Sequence, residues 1–210
     1  MRIKNSTVVS MIALAICCLS ASPLLAGESR GTKVKWDIFQ YEDFAPPCCT
    51  PPFTIAPGGI STSQATFYPA QGAGDNSTIT LTGSGTFKLN SGADVTGGGT
   101  WKTVNGTTGE VKEGTYQVTR LVFFELGAGT LAGVPGITDQ TGNLADTVAG
   151  LAVLRVHYSD GEDGMLVVSC TIAGPPAVIE GTTATKGVVD YSNPLIPDIT
   201  TANTLFHILK

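Results

Sequence analysis

The feature that most constrains this fold is an alternation of apolar and polar residues across positions 78–126. In the first part of the stretch, the apolar residues occupy odd positions: Ile79, Leu81, Phe87 and Leu89. In the last part, they share even positions around an interruption at Arg120: Tyr116, Val118, Val122, Phe124 and Leu126. A period of two places successive side chains on opposite faces of an extended strand, and no helical period fits. We therefore predict an all-β protein.

Two further runs, 151–159 and 165–172, indicate a β-hairpin around the turn DGEDG. Apolar residues recur at every second position of both runs, as in strands that bury one face. Final strands are predicted over 182–191 and 203–209. Long strands joined by hairpins favour a single antiparallel, up-and-down-like β-barrel of about eight strands, and a β-sandwich is the alternative.

The 210-residue chain divides into three predicted regions: a signal peptide at 1–26, an N-terminal strand and proline-rich arm at 27–60, and a β-barrel domain at 61–210. Arg2 and Lys4 precede a short apolar core, and Ala26 is a suitable cleavage residue. That core is shorter than the ~20 residues of a membrane-spanning helix. We therefore expect a secreted protein, extracellular or periplasmic, with no membrane span after cleavage.

Two segments lack the alternating pattern. Positions 45–59 contain five prolines, which have no amide donor, and we predict a rigid extended arm there instead of a helix or a central strand. Residues 127–149 form a long connection, and loops of such length in compact domains are usually functional. Within it, Asn143 is a candidate N-cap for a single helical turn through Val148.

The charge balance argues against polyanionic partners. The full chain has a net charge of −5, and cleavage after Ala26 would remove two basic residues and no acidic one. Because like charges repel and no basic cluster remains, nucleic acid and anionic lipid surfaces are excluded as expected partners.

The cysteines suggest one structural bridge. Cys17 and Cys18 lie in the predicted signal peptide, which leaves Cys48, Cys49 and Cys170. Three cysteines allow at most one bridge within the chain. We expect Cys170 to pair with Cys48 or Cys49, which would tie the proline-rich arm to the body of the protein.

Four residues are candidate ligand-binding residues. Arg155, His157 and Ser169 are predicted to share one face of the hairpin, where polar groups could orient a ligand inside a barrel. The alternative is an outer, solvated face, since antiparallel sheets commonly expose one side. Glu125 follows two phenylalanines, and desolvation would raise its pKa if it pointed inward. We expect His207, near the end of the chain, to be a satisfied edge residue.

No catalytic motif is evident. The chain contains no HExxH, CxxC or EF-hand pattern, so neither a metal nor a cofactor is predicted. The leading hypothesis is a secreted β-barrel module that binds a small, partly apolar molecule. The first alternative is a surface or envelope protein with a filled core that acts through protein contacts. The second is a barrel-type cyclase or isomerase using Glu125, His157 or Arg155.

Overall fold

The computed structural model describes residues 31–43, 51–67, 75–172, 180–195 and 203–210. These residues form fifteen strands and one short 3₁₀ turn, Leu144–Asp146. The strands are β1 Lys33–Glu42, β2 Phe53–Pro57, β3 Ser61–Gln64, β4 Thr78–Leu81, β5 Ser84–Lys88, β6 Ser91–Val104, β7 Val111–Leu126, β8 Ile137–Asp139, β9 Thr147–Val148, β10 Gly150–Tyr158, β11 Asp163–Cys170, β12 Gly181–Lys186, β13 Val189–Tyr191, β14 Asn193–Leu195 and β15 Asn203–Leu209. The prediction of an all-β protein is confirmed.

The strands belong to one hydrogen-bonded sheet with two branches. The main path runs β13-β12-β11-β10-β7-β6-β5-β1-β15-β9. A first branch leaves β6 through β4, β3 and β14, and a second leaves β1 through β2 and β8. The ladders are antiparallel except for the short parallel pair β2–β8. The described ladders do not close into a ring, so the barrel itself stays a prediction.

The branch containing β3 nevertheless meets the other end of the main path. Phe67, just after β3, forms an isolated antiparallel bridge with Asp190 of β13. Nearby, the Thr182 amide of β12 donates to Ser61 Oγ at 3.0 Å, and Ser63 Oγ donates to the Thr182 carbonyl at 2.5 Å. Two serine side chains of β3 therefore bind β12, although the two strands are not paired with each other in a ladder.

The core lies on the inner faces of these strands, where the alternation predicted it. Ile79, Leu81 and Phe87 are buried. The β10–β11 hairpin buries every second residue on one face: Leu154, Val156, Tyr158, Leu166, Val168 and Cys170. Trp36 of β1 and Phe206 of β15 are fully buried in the same cluster. These apolar contacts supply the main driving force for folding.

The alternation in β7 departs from the prediction at its centre. Two irregularities interrupt the register between β7 and β10. As a result, Leu121 faces the core opposite Leu154, whereas Val122 is 56% exposed. A β-bulge adds one residue to one strand, so the inward parity changes at each bulge. Val122 is therefore exposed although it shares the parity of the buried Tyr116 and Val118.

The proline-rich segment contains a strand that was not predicted. Phe53–Pro57 pairs with β1 on one side and β8 on the other. The run Phe53 to Ala56 carries no proline, and Pro57 stands only at its end, so the run can donate to its neighbours. The residues of the predicted arm at 44–50 lie outside the described part of the chain.

The long connection 127–149 is partly ordered by short elements. Asn143 accepts a hydrogen bond from the Ala145 amide and caps the 3₁₀ turn, as its position predicted. The turn ends at Asp146, earlier than expected, because Thr147 and Val148 are extended and pair with β15.

Candidate functional site

A fork between β6 and β7 creates a mainly apolar cavity. The two strands pair from Val104–Val111 to Gly98–Gln117. Beyond that point β6 pairs with β5, and β7 pairs only with β10 among the described strands. The ladder between the two strands therefore ends at this point, which we term the fork.

Glycines make this separation possible. Gly97 has a φ of 115°, a backbone conformation that residues with side chains rarely adopt. At Gly98, an added Cβ would lie 2.1 Å from the Tyr116 carbonyl oxygen. Because glycine lacks a Cβ, β6 can turn against β7 at this point and then leave it. The sequence GGG at 97–99 is thus the apex of the fork.

The space inside the fork, which we term the β6–β7 crevice, has a volume of about 750 Å³. Leu121 is buried beside it. The ring centroid of Phe124 lies 5.1 Å from that of Phe87, in a tilted arrangement, and 5.4 Å from that of Phe206, in a T-shaped one. Other apolar side chains complete the lining: Leu89, Val122, Phe123, Leu126, Val148 and Ile208. This volume and apolar character fit the range of sites for small molecules, about 300–1,000 Å³.

The crevice has a cationic border. Arg120 lines it, and the Nε atom of Arg120 lies 3.2 Å from where a Cβ on Gly92 would be. Arg155 of β10 stands directly opposite Arg120 in the register. A smaller cavity of about 320 Å³ adjoins the crevice, and both arginines line it with Leu121, Val122 and Met165.

Arg155 and His157, two of the predicted ligand-binding residues, lie on the exposed face of β10. His157 Nδ1 is 2.8 Å from Asp163 Oδ1, across the hairpin. Arg155 reaches the smaller cavity beside the crevice, but His157 does not line either space. Glu125 is exposed and lies opposite Leu151.

Ser169 is separated from the other predicted residues. It pairs with Leu151, at the opposite end of β10 from His157. Its side chain is buried, and its Oγ has no hydrogen-bond partner among the described residues. Of the four predicted residues, only Arg155 lines the smaller cavity beside the crevice, and sequence reasoning missed Arg120, which lines both spaces.

His207, predicted to be a satisfied edge residue, is buried and belongs to a network of charged residues. Its Nε2 is 2.7 Å from Asp139 Oδ2, and its Nδ1 is 3.9 Å from Asp37 Oδ2. The ammonium of Lys35 lies 3.0 Å from Asp37 Oδ2 and also donates to the Thr141 carbonyl. His207 is only 1% exposed, so the imidazole is closed to solvent, whereas Lys35 is partly exposed.

The two carboxyl groups of this network respond differently to their surroundings. Burial raises the pKa of Asp37, and the positive charge of Lys35 only partly opposes it. Burial also raises the pKa of Asp139, but hydrogen bonds from His207 and Thr141 outweigh it, and the net pKa is lowered. Asp139 comes from the long connection and His207 from the last strand. The network therefore fastens that connection to the sheet.

A second, more polar cavity of about 360 Å³ lies near the β10–β11 turn. Lys186 lines it, and its ammonium is 4.3 Å from the centre of the Trp101 ring. The same ammonium forms ion pairs with Asp160 and Glu162. Burial raises the pKa of Asp160, but the bond and charge of Lys186 bring it below its usual value. Lys186 therefore has its counter-ions within the protein.

The predicted disulfide is not observed. Cys170 is a buried free thiol whose pKa burial raises, and its predicted partners Cys48 and Cys49 lie outside the described residues. Glu180, beside Cys170, is mostly buried, and this burial raises its pKa to about 7 despite hydrogen bonds from Thr171 and Thr204. A thiol with a raised pKa is a poor nucleophile.

Comparison with known proteins assigns neither a family nor a function to the chain, so any functional assignment depends on the geometry described above. No family model, curated protein or solved structure matches the chain. No group of three or more His, Cys, Asp or Glu side chains in the described chain could hold a metal ion. The described residues also contain no helix with the length and apolar character needed to cross a membrane. The predicted signal peptide lies outside the described residues.

Proposed function

We propose that this protein is an exported module that binds a small, partly apolar molecule in the β6–β7 crevice. The observation that carries the proposal is the crevice itself: a cavity of about 750 Å³, lined mainly by apolar side chains and bordered by Arg120. Small-molecule sites typically combine an apolar lining with a few polar groups that set orientation.

The rim supports this assignment. Val122, Phe123 and Leu126 are exposed by 56%, 48% and 39%. Three neighbouring large apolar residues on one strand expose surface that water solvates poorly. A ligand that covered them would gain about 0.8 kcal/mol for each methylene group removed from water.

A cavity-filling substitution tests the site. Val122→Trp would place an indole in the crevice, while Val111→Trp makes the same change at a residue that is 50% exposed at the other end of β7. Binding is followed by the fluorescence of N-phenyl-1-naphthylamine, a neutral apolar probe. We expect the wild type and Val111→Trp to bind it and Val122→Trp to lose at least about tenfold in affinity, or ~1.4 kcal/mol.

Two results would contradict the proposal: no probe binding by the wild type, or equal binding by Val122→Trp and Val111→Trp. Native mass spectrometry of the exported protein gives an independent check. A mass excess over the denatured protein that disappears on denaturation would reveal a retained small molecule.

A second function is favoured by the free edge of β7. Val118–Leu126 has no strand partner among the described residues on the side that β6 leaves. Such an edge can accept a strand from another protein. Phe123→Lys would block edge pairing, since a lysine on an edge strand disfavours strand addition. Concentration-dependent association that this change abolishes, without probe binding by the monomer, would favour this second function.

A further inference from the structure

We infer that the ligand of the β6–β7 crevice is an anionic amphiphile whose carboxylate is bound by Arg120 and Arg155 while its apolar chain lies in the crevice. This inference rests on the proposed function and specifies the class of ligand. It is carried by the position of the two arginines, by their lack of counter-ions and by the arrangement of the two cavities.

The arginine pair is electrostatically unfavourable in the protein alone. Arg120 and Arg155 stand directly opposite each other on β7 and β10, and both are exposed. Like charges at directly opposite positions of an antiparallel pair destabilise the sheet. An anion between the two guanidinium groups would reverse the sign of this interaction.

Neither arginine has a carboxylate partner in the described chain. Most lysines there do, including Lys35 with Asp37, Lys88 with Asp94 and Lys210 with Asp146. The whole chain has 17 acidic residues against 12 basic ones, so acidic partners are abundant. The arginine pair has nonetheless been left without them, at the border of an apolar cavity.

The two cavities provide adjacent spaces for a head group and a chain. The smaller cavity, about 320 Å³, shares Arg120, Leu121 and Val122 with the crevice and adds Arg155. A ligand that extends over these shared residues from one cavity to the other would have its charge between the two arginines and its apolar part against Phe124. Only the two cavities together offer the apolar lining and both arginines.

Guanidinium geometry favours a carboxylate as the head group. The planar fork of an arginine forms two parallel hydrogen bonds with a carboxylate, which a neutral hydroxyl cannot accept in the same way. The negative net charge of the chain, −5, disfavours extended polyanions such as nucleic acid or an anionic lipid surface. A single carboxylate on a small molecule meets only the local positive charge.

The test is a competition experiment with ligands of one chain length. The competitors of N-phenyl-1-naphthylamine on the wild type at pH 7.5 are dodecanoate and dodecyltrimethylammonium, each below its micelle concentration, and 1-dodecanol, below its solubility limit. We expect dodecanoate to displace the probe at a concentration about tenfold or more below that of 1-dodecanol, as expected for charge-assisted hydrogen bonds. Dodecyltrimethylammonium should be the weakest competitor, and 1 M NaCl should reduce the preference for dodecanoate.

Three variants test whether the two arginines cause the preference for dodecanoate over 1-dodecanol. Arg120→Gln and Arg155→Gln should each lower the ratio of 1-dodecanol to dodecanoate concentrations several-fold while still binding the neutral probe. Lys102→Gln is the matched control, because Lys102 is exposed on β6 and lines neither cavity. It removes the same charge and should leave the ratio unchanged. Arg120→Gln should also raise the urea midpoint of the ligand-free protein, because it removes a like-charge contact.

The outcomes separate the two claims. If the wild type binds the neutral probe but dodecanoate and 1-dodecanol compete equally, the inference is overturned and the crevice remains a binding site. The same holds if both arginine variants keep the wild-type ratio. If the wild type does not bind the neutral probe, the proposed function fails and the inference fails with it.

Discussion

At the residue scale, the protein has two histidine–aspartate pairs that differ in their exposure to solvent. His157 and Asp163 meet at 2.8 Å with side chains that are 52% and 75% exposed. His207 and Asp139 meet at 2.7 Å with both side chains 1% exposed. Removing one partner of a buried pair leaves the other uncompensated, whereas water replaces a lost partner at the surface.

We therefore expect Asp139→Ala to destabilise the protein by roughly 3–5 kcal/mol, the cost of breaking a buried pair. Asp139 also accepts hydrogen bonds from the Thr141 amide and hydroxyl, which would be lost with it. Asp163→Ala, the matched change in the exposed pair, should cost less than about 1 kcal/mol. Urea unfolding followed by tryptophan fluorescence measures both, and equal losses would show that the His207 network does not stabilise the fold.

Glu180 sets an expected pH dependence. Its pKa rises from 4.5 to about 7 because the carboxyl is buried, so the folded state binds a proton more tightly than the unfolded state does. The stability from this group is complete below pH 4.5 and is lost as the pH rises through about 7.

Glu180→Gln should remove that part of the pH dependence. The measurement is the free energy of unfolding of the wild type and the variant at pH 4.5 and at pH 7.5. We expect the wild type to lose more stability than the variant between these values. Parallel pH profiles would show that Glu180 has an ordinary pKa in the folded protein.

At the element scale, β6 determines the arrangement of strands around the crevice, because it pairs with different strands along its length. Its first half pairs with β5, and its second half pairs with both β4 and β7. The glycines at the change of partner allow backbones to approach more closely than a side chain would permit. The crevice therefore forms because β6 pairs with β7 along only its second half and with β5 along its first half.

Gly98→Ala should be strongly destabilising, because its Cβ would lie 2.1 Å from the Tyr116 carbonyl oxygen in the neighbouring backbone. We expect a loss above about 3 kcal/mol, in the tail of single-substitution effects. Gly133→Ala is the control: its φ is +76° but nothing lies within 4 Å of the added Cβ, so only backbone strain of about 1–2 kcal/mol applies. Urea unfolding measures the difference, and similar losses would refute the steric account of the fork.

At the scale of the whole molecule, side-chain hydrogen bonds connect two strands, β3 and β12, that are not paired by a backbone ladder. The Thr182 amide on β12 depends on Ser61 Oγ of β3, and the Thr182 carbonyl accepts from Ser63 Oγ. Both serines are buried. Buried backbone groups without partners are costly, so these two hydroxyls stabilise the approach of β3 to β12.

Ser61→Ala should leave the Thr182 amide without its acceptor and cost about 1–3 kcal/mol. Amide hydrogen exchange should become faster in β12 around Thr182, while β7 and β10 keep their protection. Ser84→Ala, at an exposed serine of β5, is the control. Unchanged exchange at Thr182 would show that β3 and β12 hold together without this bond.

The amino-acid sequence by itself determined the all-β class and the β10–β11 hairpin. Alternation is a local property, so Leu154, Val156 and Tyr158 could be assigned to one face of the strand, but alternation did not decide which face is buried. The cap at Asn143 was equally predictable, since a side chain two residues from its partner needs no tertiary information. Arg155 was chosen as a binding residue on local polarity alone, and its exposed position could not be read from that pattern.

Only the tertiary structure decided where β6 leaves β7, which bulges turn Leu121 inward, and which charges meet. Arg120 and Arg155 are 35 positions apart, and His207 and Asp139 are 68 apart. Contacts of such separation depend on strand order and register, and one extra residue in a ladder changes every face that follows it. Local patterns therefore determined which segments are strands, while the pairing of those strands produced the crevice and its cationic border.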